Sequence, residues 1–313
     1  MTERQRKKGK YSEKQCIREQ CKTGKYVGED KRERCGTGIY VGEEVREQCR
    51  TGRCAGEEAE KRERRQKQVT DTLTEIGSRI LDLLYPPRCP ICQRILPAGG
   101  ERVCKVCRAK LPFIREPLCK KCGKPLYRDT EEYCTVCRKM DHAFIRGRST
   151  FVYEKEFRES VQRMKFYNHR EYLDFYAEEM VRSQRAFIRA VTPSVLIPVP
   201  MNEKKRRERG FDQSRLLAVK IGRLTGIPVD TDSLIRQRYT LPQKELGAQE
   251  RISNLKNAFR LLRADKIREP VLLIDDIYTT GSTIDEICRT LHEAGITQVY
   301  FLALCTGRPV RMS

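Results

Sequence analysis

Tryptophan is absent from this chain of 313 residues, and only three of its residues are histidine. Hydrophobic residues make up 38% of the chain. That share is below the roughly 45–50% of globular domains and predicts that part of the chain is not packed. No run approaches the roughly 20 apolar residues of a membrane span, and the first residues lack the apolar core of a signal peptide. These absences predict a cytoplasmic protein with no membrane span.

Basic residues and cysteines are, by contrast, abundant. The 64 Lys and Arg residues exceed the 43 Asp and Glu residues, and the formal net charge is +21. A charge of this size and sign favours contact with polyanions such as nucleic acid. The chain also has fifteen cysteines. In a cytoplasmic protein they indicate metal or redox chemistry rather than a disulfide framework.

Residues 1–70 differ in composition from the rest of the chain. They mix both signs of charge, contain few large aliphatic residues, and repeat a short glycine-containing unit that begins at Cys21, Cys35 and Cys49. Such a unit has too few apolar residues to bury a core, and we expect a disordered extension. A start site that over-extends the gene and a weak metal site at the cysteines are the alternatives. Residues 71–87 predict an amphipathic helix that stops at its final prolines.

Four CxxC pairs occupy residues 88–140, and eleven residues separate each pair from the next. A CxxC turn directs two thiolates at one ion, so two turns complete a tetrahedral site that leaves no open position for a substrate. We therefore predict a double zinc ribbon with two structural Zn²⁺ ions. Sequential pairing of the CxxC turns is favoured, cross-braced pairing is the alternative, and a redox role is disfavoured. The predicted ligands are Cys89, Cys92, Cys104, Cys107, Cys119, Cys122, Cys134 and Cys137.

Residues 141–313 alternate short apolar runs with helical patterns. The runs VLIPVP, VLLIDD and VYFLALC are strand candidates, and the alternation is typical of an α/β domain with a parallel sheet flanked by helices. The most informative stretch begins at Val271. A strand carries the carboxylates Asp275 and Asp276, the sequence TTGST follows at residues 279–283, and a helix comes next.

This stretch indicates a sugar-phosphate site. A loop of small residues that opens a helix presents backbone N–H groups to an anion, and the helix dipole adds positive potential. The loop residues are Thr279, Thr280, Gly281, Ser282 and Thr283. The adjacent carboxylates, Asp275 and Asp276, suit sugar hydroxyls. Open α/β sheets bind ligands at this end of their strands. The GK[ST] of a nucleoside-triphosphate loop is lacking.

The pattern resembles the PRPP-binding motif of type I phosphoribosyltransferases. The stretch RGFDQS at residues 209–214, the segment from Arg236 to Phe259 and the upstream CxxC pairs extend the likeness. The chain thereby resembles ComF family proteins, in which a double zinc ribbon precedes a phosphoribosyltransferase-like domain. Residues 1–70 fall outside the resemblance. Asp212 stands where the family commonly has Asn.

The resemblance implies roles for individual residues. Asp275 and Asp276 would bind the ribose hydroxyls of PRPP, with Mg²⁺ nearby, and residues 279–283 would bind the 5-phosphate. Cationic candidates for the pyrophosphate are Arg206, Arg207 and Arg209. The segment from Arg238 to Arg251 resembles a mobile loop that closes over such sites, and both arginines are catalytic candidates. Lys165 lies in the stretch RMKFYNH, which is also similar to the family, and a helix-surface lysine without a functional role is the alternative.

These patterns indicate two functions, and a third is a further alternative. The first is an enzyme that binds PRPP and transfers its phosphoribosyl group to an unidentified acceptor. The second is a non-catalytic cytoplasmic factor that binds single-stranded DNA, works with competence and DNA-uptake machinery, and senses PRPP. The third is a retired enzyme that keeps only the fold. The complete TTGST and both carboxylates count against the third.

Overall fold

The computed structural model describes residues 86–97, 101–237 and 257–308, together with the backbone of 33–34 and 40–41. The chain divides into two compact units, residues 1–85 and 86–313. In the first unit, strand β1 (Glu33–Arg34) pairs antiparallel with β2 (Tyr40–Val41). Apart from these strands, Pro86 and Pro87, the predicted extension and amphipathic helix lie outside the described residues.

The second unit begins with short helices and continues as an α/β domain. Its elements in chain order are α1 (Lys105–Ala109), α2 (Thr135–Lys139), β3 (Arg146–Val152), α3 (Lys155–Phe166), α4 (Tyr172–Ser183), α5 (Arg185–Val191), β4 (Val195–Pro198), α6 (Glu203–Arg209), α7 (Gln213–Thr225), β5 (Leu234–Arg236), β6 (Phe259–Leu261), a 3-10 turn (Ala264–Lys266), β7 (Val271–Tyr278), α8 (Ser282–His292) and β8 (Val299–Thr306). The three strands predicted from apolar runs are β4, β7 and β8.

A four-stranded sheet in the order β3-β8-β7-β4 is parallel at every pairing. Strands β5 and β6 form a separate antiparallel pair. The central strands β7 and β8 are mostly buried, as expected for strands covered by helices on both faces. The predicted α/β class, with a parallel sheet flanked by helices, is therefore confirmed.

Alternate residues of the central strands pack into two separate hydrophobic cores. Leu272 and Ile274 of β7 face a core that includes residues of α3, α4, α5 and α7. Val271 and Leu273 face the opposite core, to which α8 contributes Ile284, Ile287 and Leu291. This period of two is the ordinary consequence of strand geometry.

The edge strand β3 is covered by the cysteine-rich region. Ile114 N donates to Thr150 O at 3.0 Å, Val152 N donates to Pro112 O at 2.8 Å, and Gly147 N donates to Lys121 O at 2.8 Å. These bonds occupy backbone groups that an exposed edge strand would leave open to pairing with another chain. The zinc-ribbon region and the α/β domain are thus joined along this edge. Among the described residues, no helix has both the length and the hydropathy needed to cross a bilayer.

Candidate functional site

The eight predicted zinc ligands form two clusters. Cys89, Cys92, Cys104 and Cys107 make the first cluster, and Cys119, Cys122, Cys134 and Cys137 make the second. Within each cluster the sulfur atoms all lie within 4.8 Å of one another. The favoured sequential pairing is therefore the one found, and the cross-braced alternative is not.

The sulfur separations fit tetrahedral zinc. A Zn–S bond of about 2.3 Å in tetrahedral geometry places neighbouring sulfurs about 3.8 Å apart. The Sγ atoms of Cys92 and Cys104 are 3.8 Å apart, and those of Cys122 and Cys134 are 3.7 Å apart. The four-thiolate donor set, with no position left for water, suits structural Zn²⁺.

The two ribbons repeat the same local structure thirty residues apart. In each, the first CxxC turn closes with matching bonds, Gln93 N to Cys89 O and Gly123 N to Cys119 O, both 2.9 Å. The donors of these bonds have positive φ, 65° and 70°. The second CxxC pair of each ribbon begins a short helix, α1 or α2. This repetition explains the even spacing of the pairs in the sequence.

The ribbons pack on opposite faces of the sheet. Cys89 and Leu96 of the first ribbon belong to the core beneath α3 and α4. Cys119, Cys122 and Leu126 of the second ribbon belong to the core beneath α8. Each metal cluster is consequently part of a hydrophobic core of the α/β domain.

Asp275 and Asp276 lie near the carboxyl end of β7, which extends two residues beyond them to Tyr278. Ser214 Oγ, at the start of α7, donates to Asp275 Oδ1 at 3.4 Å. Burial, and then the neighbouring charge of Asp276, raises the pKa of Asp275 to about 7. A buried acid with a pKa this high, beside a second carboxylate, is typical of functional sites.

Lys165, at the end of α3, contacts this carboxylate pair. Its Nζ lies 2.5 Å from Asp276 Oδ2, and only 8% of the residue is exposed. The alternative of a helix-surface lysine is therefore wrong. Asp276 follows Lys165 by more than a hundred residues, so no local sequence signal could have paired the two.

Basic residues on α6 and β5 carry charges into the same region. Burial and repulsion from Arg209 and Arg236 lower the pKa of Lys205, and Lys165 contributes to that repulsion. Burial lowers the pKa of Arg236, while the charge of Asp275 opposes the shift. Lys165 and Arg236 thus interact with the two carboxylates, and Lys205 is close enough to both cations to be repelled by them.

The three predicted pyrophosphate arginines lie on different faces of α6. Arg206 and Arg207 are exposed and pair with Glu203 at 3.0 and 3.5 Å. Arg209 is partly buried, donates to Gln213 Oε1 at 3.0 Å, and lies over the ring of Phe166. On this short helix, Lys205 and Arg209 share the partly buried face.

The TTGST loop joins β7 to α8. Gly281 has φ 93°, and a Cβ added there would lie 2.9 Å from His142 Cε1 and 2.9 Å from Tyr278 Oη. Both the backbone conformation and the close packing therefore require glycine. Thr280 Oγ1 and Ser282 Oγ are 2.8 Å apart. Thr279 is exposed, and Thr283 is in the first turn of α8.

Asp212 caps the helix that carries Ser214. Its Oδ1 accepts from Arg215 N at 3.0 Å, and its Oδ2 accepts from Met201 N at 3.3 Å. Burial raises the pKa of Asp212. A carboxylate uses both oxygens as acceptors here, whereas the amide nitrogen of Asn could not accept the second bond. The departure from the family pattern therefore ties the loop after β4 to α7.

Sequence analysis did not predict a buried histidine–aspartate pair behind the TTGST loop. His142 Nδ1 lies 2.7 Å from Asp285 Oδ2, and Ala143 N donates to Asp285 Oδ1 at 3.0 Å. His142 packs against Gly281, so this pair stands directly behind the proposed phosphate loop. Arg238 and Arg251, with the predicted lid between them, lie outside the described residues.

Known proteins match this chain in part. A family model described as a double zinc ribbon domain matches residues 80–138. Competence protein F of Haemophilus influenzae is 37% identical over 110 residues, which cover 34% of this chain and 48% of that protein. DNA utilization protein YhgH of Escherichia coli K12 is 38% identical over 113 residues, with coverage of 36% and 49%. Competence protein ComFC of Bacillus subtilis is 30% identical over 148 residues, with coverage of 47% and 58%.

The chain spans about half the length of the curated relatives it matches. Among solved structures, an allosteric regulatory enzyme of purine biosynthesis is 22% identical with a TM-score of 0.29, and the match covers 42% of this chain and 25% of that one. Trypanosoma cruzi hypoxanthine phosphoribosyl transferase is 16% identical with a TM-score of 0.28, and coverage is 46% and 70%. The paired four-cysteine clusters, the zinc-ribbon match and the competence-named relatives together support the predicted likeness to ComF family proteins.

Proposed function

We propose that this protein binds PRPP with Mg²⁺ at the carboxyl end of β7 and transfers the phosphoribosyl group to an acceptor. The observation that carries the proposal is the juxtaposition of three features. These are the carboxylates Asp275 and Asp276, the glycine-containing loop that opens α8, and the cations Lys165, Lys205 and Arg236.

Each feature suits one part of PRPP. The loop, with its N–H groups and hydroxyls, would take the 5-phosphate. The carboxylates would accept hydrogen bonds from the ribose hydroxyls. The cations of α6 and β5 would meet the pyrophosphate, and Lys205 and Arg209 are better placed for this than the exposed Arg206 and Arg207.

Transfer breaks the bond between the anomeric carbon and the pyrophosphate oxygen, and forms a bond from that carbon to the acceptor. Pyrophosphate leaves with the electron pair, and the acceptor loses a proton. The protein's cations stabilise the charge that develops on the leaving group in an oxocarbenium-like transition state. Asp275 and Asp276 offer carboxylate oxygens, the donor type that Mg²⁺ prefers, and the ion would supply further neutralisation of the phosphates. Arg238 and Arg251 remain proposed members of the closing loop.

Calorimetric titration of PRPP with Mg²⁺ into the zinc-loaded full chain tests this proposal. We expect saturable binding by the wild-type protein and by the control variant Asp129→Asn, whose carboxyl is exposed on the second ribbon. The double variant Asp275→Ala/Asp276→Ala should lose the binding while it retains both zinc ions. Folded, zinc-loaded wild-type protein that binds no PRPP would refute the proposal.

A second function is supported by the names of relatives, which refer to competence and DNA utilization, and by the net charge of +21. In this alternative the protein is a cytoplasmic factor that binds single-stranded DNA, serves DNA uptake and uses the PRPP pocket as a sensor. The aromatic side chains of Phe166 and Tyr167 are exposed and Arg209 lies over the Phe166 ring, an arrangement that suits base stacking. Oligonucleotide affinity that falls steeply with salt, with no turnover of PRPP, would favour this function.

A further inference from the structure

We infer that Lys165 is a positioning residue of the sugar-phosphate site and holds the Asp276 carboxylate in the orientation that receives a ribose hydroxyl. This inference rests on the proposed function and gives Lys165 a specific role in it. Lys165 comes from α3, a helix that supplies none of the other residues proposed for PRPP binding.

Lys165 is a charged residue on the buried face of its helix. Phe157, Val161 and Met164 of α3 are buried in the core beneath the sheet, and the Lys165 side chain is buried beside them. Its ammonium reaches past this apolar layer to the carboxyl end of β7, where Nζ lies 2.5 Å from Asp276 Oδ2. The side chains of both partners are largely buried.

A contribution to folding stability does not explain why the ion pair of Lys165 and Asp276 is buried. Removing two charges from water costs free energy that the attraction between them repays only in part, and apolar replacements of similar volume are often as stable or more so. A methionine at residue 165 would continue the apolar surface formed by its neighbours on α3. The charge therefore has a role at the carboxylates rather than in the core.

That role follows from the adjacency of Asp275 and Asp276. Two carboxylates on consecutive residues repel each other, and the charge of Asp276 contributes to the raised pKa of Asp275. The ammonium supplies the opposite charge and engages Oδ2 of Asp276. The second oxygen, Oδ1, is then held as the acceptor for a ribose hydroxyl. Lys165 acts through Asp276, whereas Lys205 and Arg236 act on the anionic leaving group.

The test compares three ligands in calorimetric titrations of the zinc-loaded full chain: PRPP, ribose 5-phosphate and pyrophosphate, each with Mg²⁺. Lys165→Met should weaken binding of the two ribose ligands about 10- to 100-fold, the worth of a charge-assisted hydrogen bond. Binding of pyrophosphate should stay within twofold of wild type. Lys165→Arg should recover part of the lost affinity because it restores the charge.

A control variant and a double variant are titrated with the same ligands. Lys220 on α7 also donates to an aspartate, Asp174, so Lys220→Met removes a similar ion pair and should leave all three affinities unchanged. Because Lys165 acts through Asp276, Lys165→Met/Asp276→Asn should bind ribose 5-phosphate no more weakly than Asp276→Asn alone.

Three outcomes would overturn the inference while the proposed function stands. They are wild-type affinity in Lys165→Met, an equal loss of pyrophosphate affinity, and additive losses in the double variant. Should Lys165→Met fail to fold, Lys165→Arg and Lys165→Gln carry the same comparison, since only the first keeps the charge. Wild-type protein that binds none of the three ligands would instead refute the proposed function itself.

Discussion

His142 Nδ1 and Asp285 Oδ2 lie 2.7 Å apart, and their side chains are 0% and 2% exposed. The pair joins the segment after the second zinc ribbon to the first turn of α8, and the histidine ring packs against Gly281 of the proposed phosphate loop. It therefore connects the metal-bearing part of the protein with the loop that we propose to bind phosphate.

Removal of one partner from this pair should destabilise the protein. His142→Ala leaves Asp285 buried with one oxygen unpaired, and we expect the free energy of unfolding to fall by about 3–5 kcal/mol. The more exposed pair of His169 and Glu171, at the protein surface, provides the control, and His169→Ala should cost less than about 1 kcal/mol. Urea denaturation measures both changes. Equal losses in the two variants would show that burial of the His142 pair adds nothing.

Each zinc cluster should lose its ion independently when one ligand is removed. Cys92→Ser removes a ligand from the first cluster and Cys122→Ser from the second, so each variant should bind one zinc ion per chain where the wild type binds two. Cys288→Ala, a buried cysteine of α8 outside both clusters, should keep both ions. Zinc release measured with a chromogenic chelator distinguishes these cases. Loss of both ions from one substitution would contradict separate sites.

The second ribbon should be intolerant of a side chain at Gly123. This residue has φ 70°, and a Cβ there would lie 2.7 Å from Gly147 O of the edge strand. Gly226 at the end of α7 has φ 75° with nothing within 4 Å of such a Cβ. Gly226→Ala should therefore cost about 1 kcal/mol for the backbone conformation alone, and Gly123→Ala should cost about 1–3 kcal/mol more for the clash. Thermal or urea unfolding that gives the same loss for both would refute the close contact.

The contribution of Asp275 to the stability of the ligand-free protein should fall as the pH rises. Its pKa is about 7 in the folded protein and close to 3.8 when unfolded, so the folded state binds more protons between these values. Stability contributed by this residue thus declines from about pH 4 to pH 7. Asp275→Asn removes the decline and should stabilise the protein by about 1–3 kcal/mol at pH 8, with little gain at pH 4. Asp129→Asn is the exposed control, and a pH-independent gain in Asp275→Asn would contradict the linkage.

The features that sequence analysis predicted correctly are those set by local geometry. A CxxC turn fixes the separation of its own two sulfurs, and even spacing of four such turns indicates two clusters. A buried strand followed by a small-residue loop and a helix likewise identifies the strand and loop from Val271 to Thr283. The parallel class follows from the alternation of strands and helices.

The features that sequence analysis did not predict depend on distant contacts or on helix phase. Lys165 and Asp276, like His142 and Asp285, are brought together only by the folded sheet and its flanking elements. In the run of charges on α6, only the phase of the helix determines that Lys205 and Arg209 are partly buried while Arg206 and Arg207 are exposed. Composition alone cannot determine that phase.

The most direct test of the account is a crystal structure of the zinc-loaded protein with PRPP and Mg²⁺. We predict that the 5-phosphate lies on the N–H groups of residues 279–283 and that the ribose hydroxyls contact Asp275 and Asp276. The pyrophosphate should lie towards Lys205 and Arg236. PRPP bound elsewhere, or bound here with its phosphate away from the loop at Gly281, would contradict the account.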